Sequence, residues 1–236
     1  MRCCFITLGC RVNQYESDAM AELLTQAGFE ITENPSEADV CIVNTCTVTN
    51  IADRKSRQML SKAHKLNPNA KLIAAGCFAQ RSPEAAAKLE GVYAVLGSAD
   101  KNRVVELVKS IAEGRENESK SEKCNCGEKE LCDCCGGMKK FEQPENSECS
   151  GNAAGGTKIL VRDVMHEHEF EEMSAVHEGR TRAYLKIQDG CNMFCTYCAI
   201  PYARGGLRSR SIESVRAEAE KLNNEGFSEV VLTGIH

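Results

Sequence analysis

Cys191, Cys195 and Cys198 fall within the run Cys191-Asn192-Met193-Phe194-Cys195-Thr196-Tyr197-Cys198, a C-x3-C-x2-C spacing. Three thiolates this close can each take one iron of a cubane 4Fe–4S cluster, which leaves the fourth iron without a protein ligand. An open iron is a place for chemistry. The alternatives are three unligated thiols or a structural zinc. Zinc wants four ligands, and no fourth Cys or His follows closely, although His236 ends the next apolar run. Tyr197, just before the last Cys, is placed to pack on an aromatic ligand beside the open iron; the plainer alternative is packing within its own loop.

A second set is dispersed. Cys10, Cys46 and Cys77 each follow a short apolar run, at 4–8, 40–43 and 71–75. If those runs are parallel strands, their carboxyl ends share one edge of a sheet, and residues far apart in sequence meet there. Neighbouring strands lie about 4.8 Å apart, which suits one shared cluster. Gly9 and Gly76 precede two of these cysteines and let backbone approach a bulky group. The competing reading, buried Cys as a small hydrophobe, suits Cys41, Cys3 and Cys4.

The elements that must position these thiols read as follows. Apolar runs at 4–8, 40–43, 71–75 and 92–96 alternate with helical patterns at 14–27, 51–66, 83–89 and 101–112, which predicts an α/β unit with a parallel sheet over 1–112. Residues 113–157 form a polar, Gly-rich linker or insertion, expected to be poorly ordered, carrying Cys124, Cys126, Cys132, Cys134, Cys135 and Cys149. A second unit is expected over 158–236: strands at 158–161, 182–187 and 229–232, a Cys- and Gly-rich loop from 189 to 206, and a helix capped by Ser211 that runs to 224 and closes at Gly226. So few strands cannot cover their own faces, so the chain is expected to be part of a longer protein.

Fifteen cysteines without a secretory signal point to metal or cluster ligation in a reducing compartment, and the expected location is cytoplasmic. No apolar run is long enough to span a membrane. The net charge of −5 excludes a broad polyanion-binding face, so any nucleic-acid contact needs a local basic cluster. Arg204, Arg208 and Arg210 form one, suited to RNA phosphates; the alternative is that they pair with acids of the following helix. Asn13, Gln14 and Tyr15 either line the same cavity or begin a helix. No histidine reads as a catalytic base.

The C-x3-C-x2-C run with an aromatic before its last Cys resembles the signature of the radical S-adenosylmethionine (SAM) superfamily. With Thr7-Leu8-Gly9-Cys10-Arg11-Val12-Asn13-Gln14-Tyr15-Glu16, Asn44-Thr45-Cys46-Thr47-Val48-Thr49, Ala74-Ala75-Gly76-Cys77 and 190–210, the chain resembles the radical SAM methylthiotransferases over 1–110 and 180–236. That resemblance implies an N-terminal domain with an auxiliary cluster on Cys10, Cys46 and Cys77, followed by the start of a partial (βα)6 barrel with the SAM cluster on Cys191, Cys195 and Cys198. It implies two 4Fe–4S clusters and SAM, with Tyr197, Thr233 and Gly234 at the SAM, and Asn13 with Arg204, Arg208 and Arg210 at the RNA. SAM cleavage to a 5′-deoxyadenosyl radical would open an unactivated C–H bond that acid–base groups cannot. Such enzymes also carry a small RNA-binding β-barrel, which is expected to lie outside these residues. The segments around Cys10 and 200–210 are most similar to enzymes that methylthiolate C2 of N6-threonylcarbamoyladenosine-37 in the tRNA anticodon loop. An electron donor such as flavodoxin or ferredoxin follows from the same resemblance. The rivals are action on N6-isopentenyladenosine-37 or on ribosomal protein S12, and a non-catalytic iron–sulfur electron carrier.

Overall fold

The alternating pattern folds, in a computed structural model that describes residues 1–114, 157–175 and 181–235, into two sheets. The first has six parallel strands: β1 (Arg2–Thr7), β2 (Glu30–Ile31), β3 (Val40–Thr45), β4 (Lys71–Gly76), β5 (Val92–Leu96) and β6 (Lys158–Leu160), in the order β2-β1-β3-β4-β5-β6. Its helices are α1 (Arg11–Gln26), α2 (Asn50–Leu66), α3 (Cys77–Arg81), α4 (Pro83–Ala87) and α5 (Val104–Ala112).

Central β3 shows why a parallel sheet forms. All six residues are buried, as expected of a strand covered on both faces. Val40 and Ile42 pack with Met20 and Leu24 of α1 and Leu107 and Val108 of α5, while Cys41 and Val43 pack with Leu60 of α2, Phe78 of α3 and Ala86 of α4. Each fully buried Leu, Ile or Phe contributes about 1.5–3 kcal/mol. Cys3, Cys4 and Cys41 sit in these cores as small apolar groups.

The second sheet has β7 (Ala183–Asp189), β8 (Arg208–Ser209) and β9 (Val230–Gly234), in the order β8-β7-β9. The β7–β9 pair is parallel and spanned by α7 (Ile212–Asn224), which the Ser211 hydroxyl caps by accepting from Ser214 N at 3.1 Å; β8 returns antiparallel to β7. A short α6 (Ile200–Arg204) lies in the connecting loop.

Three expectations change. Residues 158–160 do not open the second unit: they pair parallel with β5, and Leu160 O accepts from Gly97 N at 2.8 Å, extending the first sheet past the insertion. The helical stretch expected at 83–89 is α4, and an unforeseen α3 precedes it, the two kept apart because Ser82, held at φ −140° before Pro83, leaves the helical region. Helix 101–112 begins as a 3-10 turn over Lys101–Arg103. The insertion cysteines lie outside the described residues. Among the described residues, no helix is long and apolar enough to cross a membrane.

Candidate metal centre

In the strand order β2-β1-β3, the chain leaves β1 in one direction for β2 and returns to its other side for β3. Such a reversal opens a crevice at the carboxyl ends of the two strands, where open α/β sheets bind their ligands. Cys10 lies just beyond β1 and Cys46 just beyond β3. Cys77 follows β4, the next strand across.

Local contacts draw the three ends together. Leu8 N donates to Asn44 O at 2.9 Å, and Asn13 Nδ2 donates to Leu8 O at 2.8 Å and Thr45 O at 2.9 Å, tying the ends of β1 and β3. Thr45 pairs with Gly76 in the β3–β4 ladder, so Cys46 and Cys77 leave adjacent positions. Ser56 of α2 accepts from Cys46 N and donates to Cys46 O, fixing that turn. A Cβ on Gly9 would stand 2.9 Å from Cys46 Sγ, and at Gly76, with φ +87°, it would stand 2.3 Å from Asn44 Oδ1. Both glycines therefore keep side-chain volume out of this crevice. The thiol of Cys10 is exposed, while those of Cys46 and Cys77 are buried.

The donor set fits an iron–sulfur cluster. Three uncrosslinked thiols stand at neighbouring strand ends, in a space that glycines hold clear. Among the described residues, no three Cys, His, Asp or Glu side chains close on one point as a single ion requires. A cubane makes no such demand, since its ligands bind different iron corners.

The second triad leaves the end of β7. Gly190, at φ +77°, makes the turn; a Cβ there would meet Gly206 O at 1.9 Å. Cys191 N donates to Gly205 O at 3.1 Å, and Cys198 N to Cys195 O at 2.9 Å, which closes the loop on itself. Cys191 is buried, Cys195 exposed and Cys198 half-buried. Tyr197 is 89% exposed, so nothing in the loop packs on it. Thr233 and Gly234 end β9 opposite Lys186 and Gln188, at the same sheet edge from which this loop departs.

Between the two triads lies a buried ionic network that the sequence did not disclose. Glu16 of α1 accepts from Arg204 of α6 at 2.9 Å and Lys186 of β7 at 2.8 Å, and pairs with Lys101 at 3.1 Å. Asp189 meets Arg204 at 2.9 Å and Lys186 at 2.7 Å. Burial pushes the Glu16 carboxyl up, but Arg204, Lys101 and Lys186 outweigh it and hold the group well below the usual range. Asp189 is likewise held low against its own burial by Arg204 and Lys186. Lys186 is raised: both carboxylates overcome the burial that would discharge it.

This network corrects the expected RNA contacts. Arg204 is 1% exposed and spent on Glu16 and Asp189. Arg208 is buried, donating to Arg204 O, and Arg210 pairs with Glu172 and with Glu218 of α7, the alternative weighed from the sequence. Asn13 is fully buried beneath Cys10, and Tyr15 donates to Met173 O. Guanidinium groups turned into the interior in this way present no face to a phosphate. Gln14 and Tyr15 lie within α1. One signal was available: Glu16 falls on the stripe of Val12, Met20 and Leu24 that α1 turns inward.

Outside the network, a groove of about 530 Å³ is lined by Gln80, Arg81, Asp163, Val164, Met165 and Tyr202. Its walls are the end of α3, which begins at Cys77, the turn at 163–165, and α6, which follows Cys198. Tyr202 is 60% exposed and meets Phe194 edge-on at 6.3 Å.

Comparison with known proteins bears on both triads. The family model described as "Uncharacterized protein family UPF0004" matches residues 2–97, and that of the radical SAM superfamily matches 185–236. The chain is 38% identical over 233 residues, 98% of its length and 43% of the relative's, to "Threonylcarbamoyladenosine tRNA methylthiotransferase MtaB" of Bacillus subtilis (strain 168). It is 35% identical over 236 residues to the protein of the same name from Aquifex aeolicus (strain VF5), covering 99% of this chain and 48% of that one. "Ribosomal protein uS12 methylthiotransferase RimO" of Chloroflexus aurantiacus (strain ATCC 29366 / DSM 635 / J-10-fl) is 31% identical over 232 residues, covering 98% of this chain and 45% of the relative. The chain spans about half the length of the curated relatives it matches.

Proposed function

Because this chain belongs to the radical SAM methylthiotransferase family, we propose that the protein adds a methylthio group to C2 of N6-threonylcarbamoyladenosine in the tRNA anticodon loop. One observation carries the reading: α1 and α3, which follow Cys10 and Cys77, pack against β7 and α6, which flank the loop of Cys191, Cys195 and Cys198. The first set holds the auxiliary 4Fe–4S cluster and the second the SAM cluster, with Tyr197, Thr233 and Gly234 beside the SAM. The bound clusters and SAM supply the radical and sulfur chemistry that an unactivated aromatic C–H bond requires.

The chain's own residues do the rest. Gly9 and Gly76 clear the first crevice, and Asn13 clamps the ends of β1 and β3. Glu16, Lys186 and Arg204 lock α1 to β7 and α6, so the triads keep a fixed relation. Arg81, exposed at the end of α3, and Tyr202 replace the buried arginines as the face offered to RNA, because a cation beside an open aromatic ring suits an unstacked loop base and its phosphate. A tRNA substrate places the protein in the cytoplasm, and reduction draws on a one-electron donor such as flavodoxin or ferredoxin.

The substrate assignment is supported by the 38% and 35% identities to relatives named for threonylcarbamoyladenosine tRNA. Nucleoside mass spectrometry of tRNA from a deletion strain tests it. The expected result is loss of the 2-methylthio nucleoside with accumulation of its unthiolated precursor, restored by the full-length gene. Unchanged tRNA with loss of the modification from ribosomal protein S12 would overturn it.

A further inference from the structure

Five ionisable side chains meet in the interior where the two sheets join: Lys101, Lys186 and Arg204 against Glu16 and Asp189, all between 0% and 7% exposed at the side chain. The cations outnumber the anions by one. Taking five charged groups out of water is costly, and a well-packed apolar junction would be as stable or more so, so stability alone does not account for them. Their surroundings do. Arg204 Nη2 donates to Asn13 Oδ1 at 2.5 Å, and the same oxygen lies 3.8 Å from Cys10 Sγ. Cys77 is within electrostatic reach of Arg204, Glu16 and Lys101. The next residue, Gly205, holds Cys191 N through its carbonyl. One short segment thus touches both triads, and an uncompensated buried positive charge stands behind the first.

We propose that Lys101, Lys186 and Arg204, exceeding Glu16 and Asp189 by one charge, are positioning residues that raise the reduction potential of the cluster on Cys10, Cys46 and Cys77. This rests on the cluster assignment made above. The physical cause is direct: reduction adds a negative charge to the cluster, and a positive charge fixed in a low-dielectric interior stabilises the reduced form.

The test uses full-length protein with Cys191, Cys195 and Cys198 changed to Ala, so that one cluster remains, reconstituted anaerobically and titrated by electron paramagnetic resonance. Glu16→Gln leaves the interior more positive and is expected to shift the midpoint upward; Lys101→Gln neutralises the excess and is expected to shift it downward. Asp189→Asn and Arg204→Gln repeat the two signs if either first variant fails to fold. A purely structural role moves both members of a pair in one direction, through a loosened cluster. Shifts of the same sign, or none in variants that keep their iron, overturn the proposal. A parent protein that binds no cluster at Cys10, Cys46 and Cys77 overturns the assignment beneath it as well.

Discussion

The two cysteine triads obey opposite rules. Cys191, Cys195 and Cys198 are neighbours in sequence, joined by one loop that the Cys198–Cys195 and Cys191–Gly205 backbone bonds help to close. Cys10, Cys46 and Cys77 are brought together by the order of three strands, and two of them are buried. The first arrangement can be recognised as a motif. The second exists only when a whole sheet is folded, so its chemistry is coupled to the stability of that sheet and of the junction that holds it against β7.

That difference can be tested at several scales. Replacing any one of the six cysteines by Ala is expected to abolish the methylthio product, read by nucleoside mass spectrometry after complementation of the deletion strain; product from such a variant would remove that cysteine from the account. Glu16→Ala comes next. It leaves three buried cations with one carboxylate, and breaking buried pairs in this way costs about 3–5 kcal/mol. Denaturant unfolding should register that loss, whereas Glu220→Ala, which breaks the exposed Arg216–Glu220 pair, should cost less than about 0.5 kcal/mol.

Acid probes the same junction. Glu16 and Asp189 are depressed in the folded protein, while in the unfolded chain each takes up its proton near pH 4. The unfolded state therefore binds more protons as pH falls, and the stability these groups contribute, fully present above about pH 5, declines below it. Thermal unfolding between about pH 7 and pH 4 should show a falling Tm, with a shallower fall in Glu16→Ala. The helix caps are a point on which the two regions should agree. Thr49 caps α2 and Ser211 caps α7 through the same hydroxyl-to-amide bond, so Thr49→Ala and Ser211→Ala should each cost about 1 kcal/mol in denaturant unfolding.

The sequence disclosed what depends on local pattern. The strand at 92–96 falls where its apolar run predicted it, and Ser211 caps its helix as expected. The strand-end placement of Cys10, Cys46 and Cys77 was legible because a parallel sheet aligns carboxyl ends whatever the loop lengths. The pairing of 158–160 with β5 was not, since three residues beyond a long insertion carry no sign of which sheet they join. Nor could the sequence show that Arg204, Arg208 and Arg210 face inward. Basic clusters are ordinarily solvated, and the acids that draw these in lie at 16, 172, 189 and 218, mostly far along the chain.

The central claim is that a folded sheet, and not a local motif, builds a complete cluster site from Cys10, Cys46 and Cys77. The most direct measurement is iron and sulfide content with Mössbauer spectra of full-length protein lacking Cys191, Cys195 and Cys198, before and after adding Cys77→Ala. The account predicts one 4Fe–4S cluster per chain that disappears with Cys77. A protein without iron, or one whose cluster persists after Cys77 is removed, would contradict it.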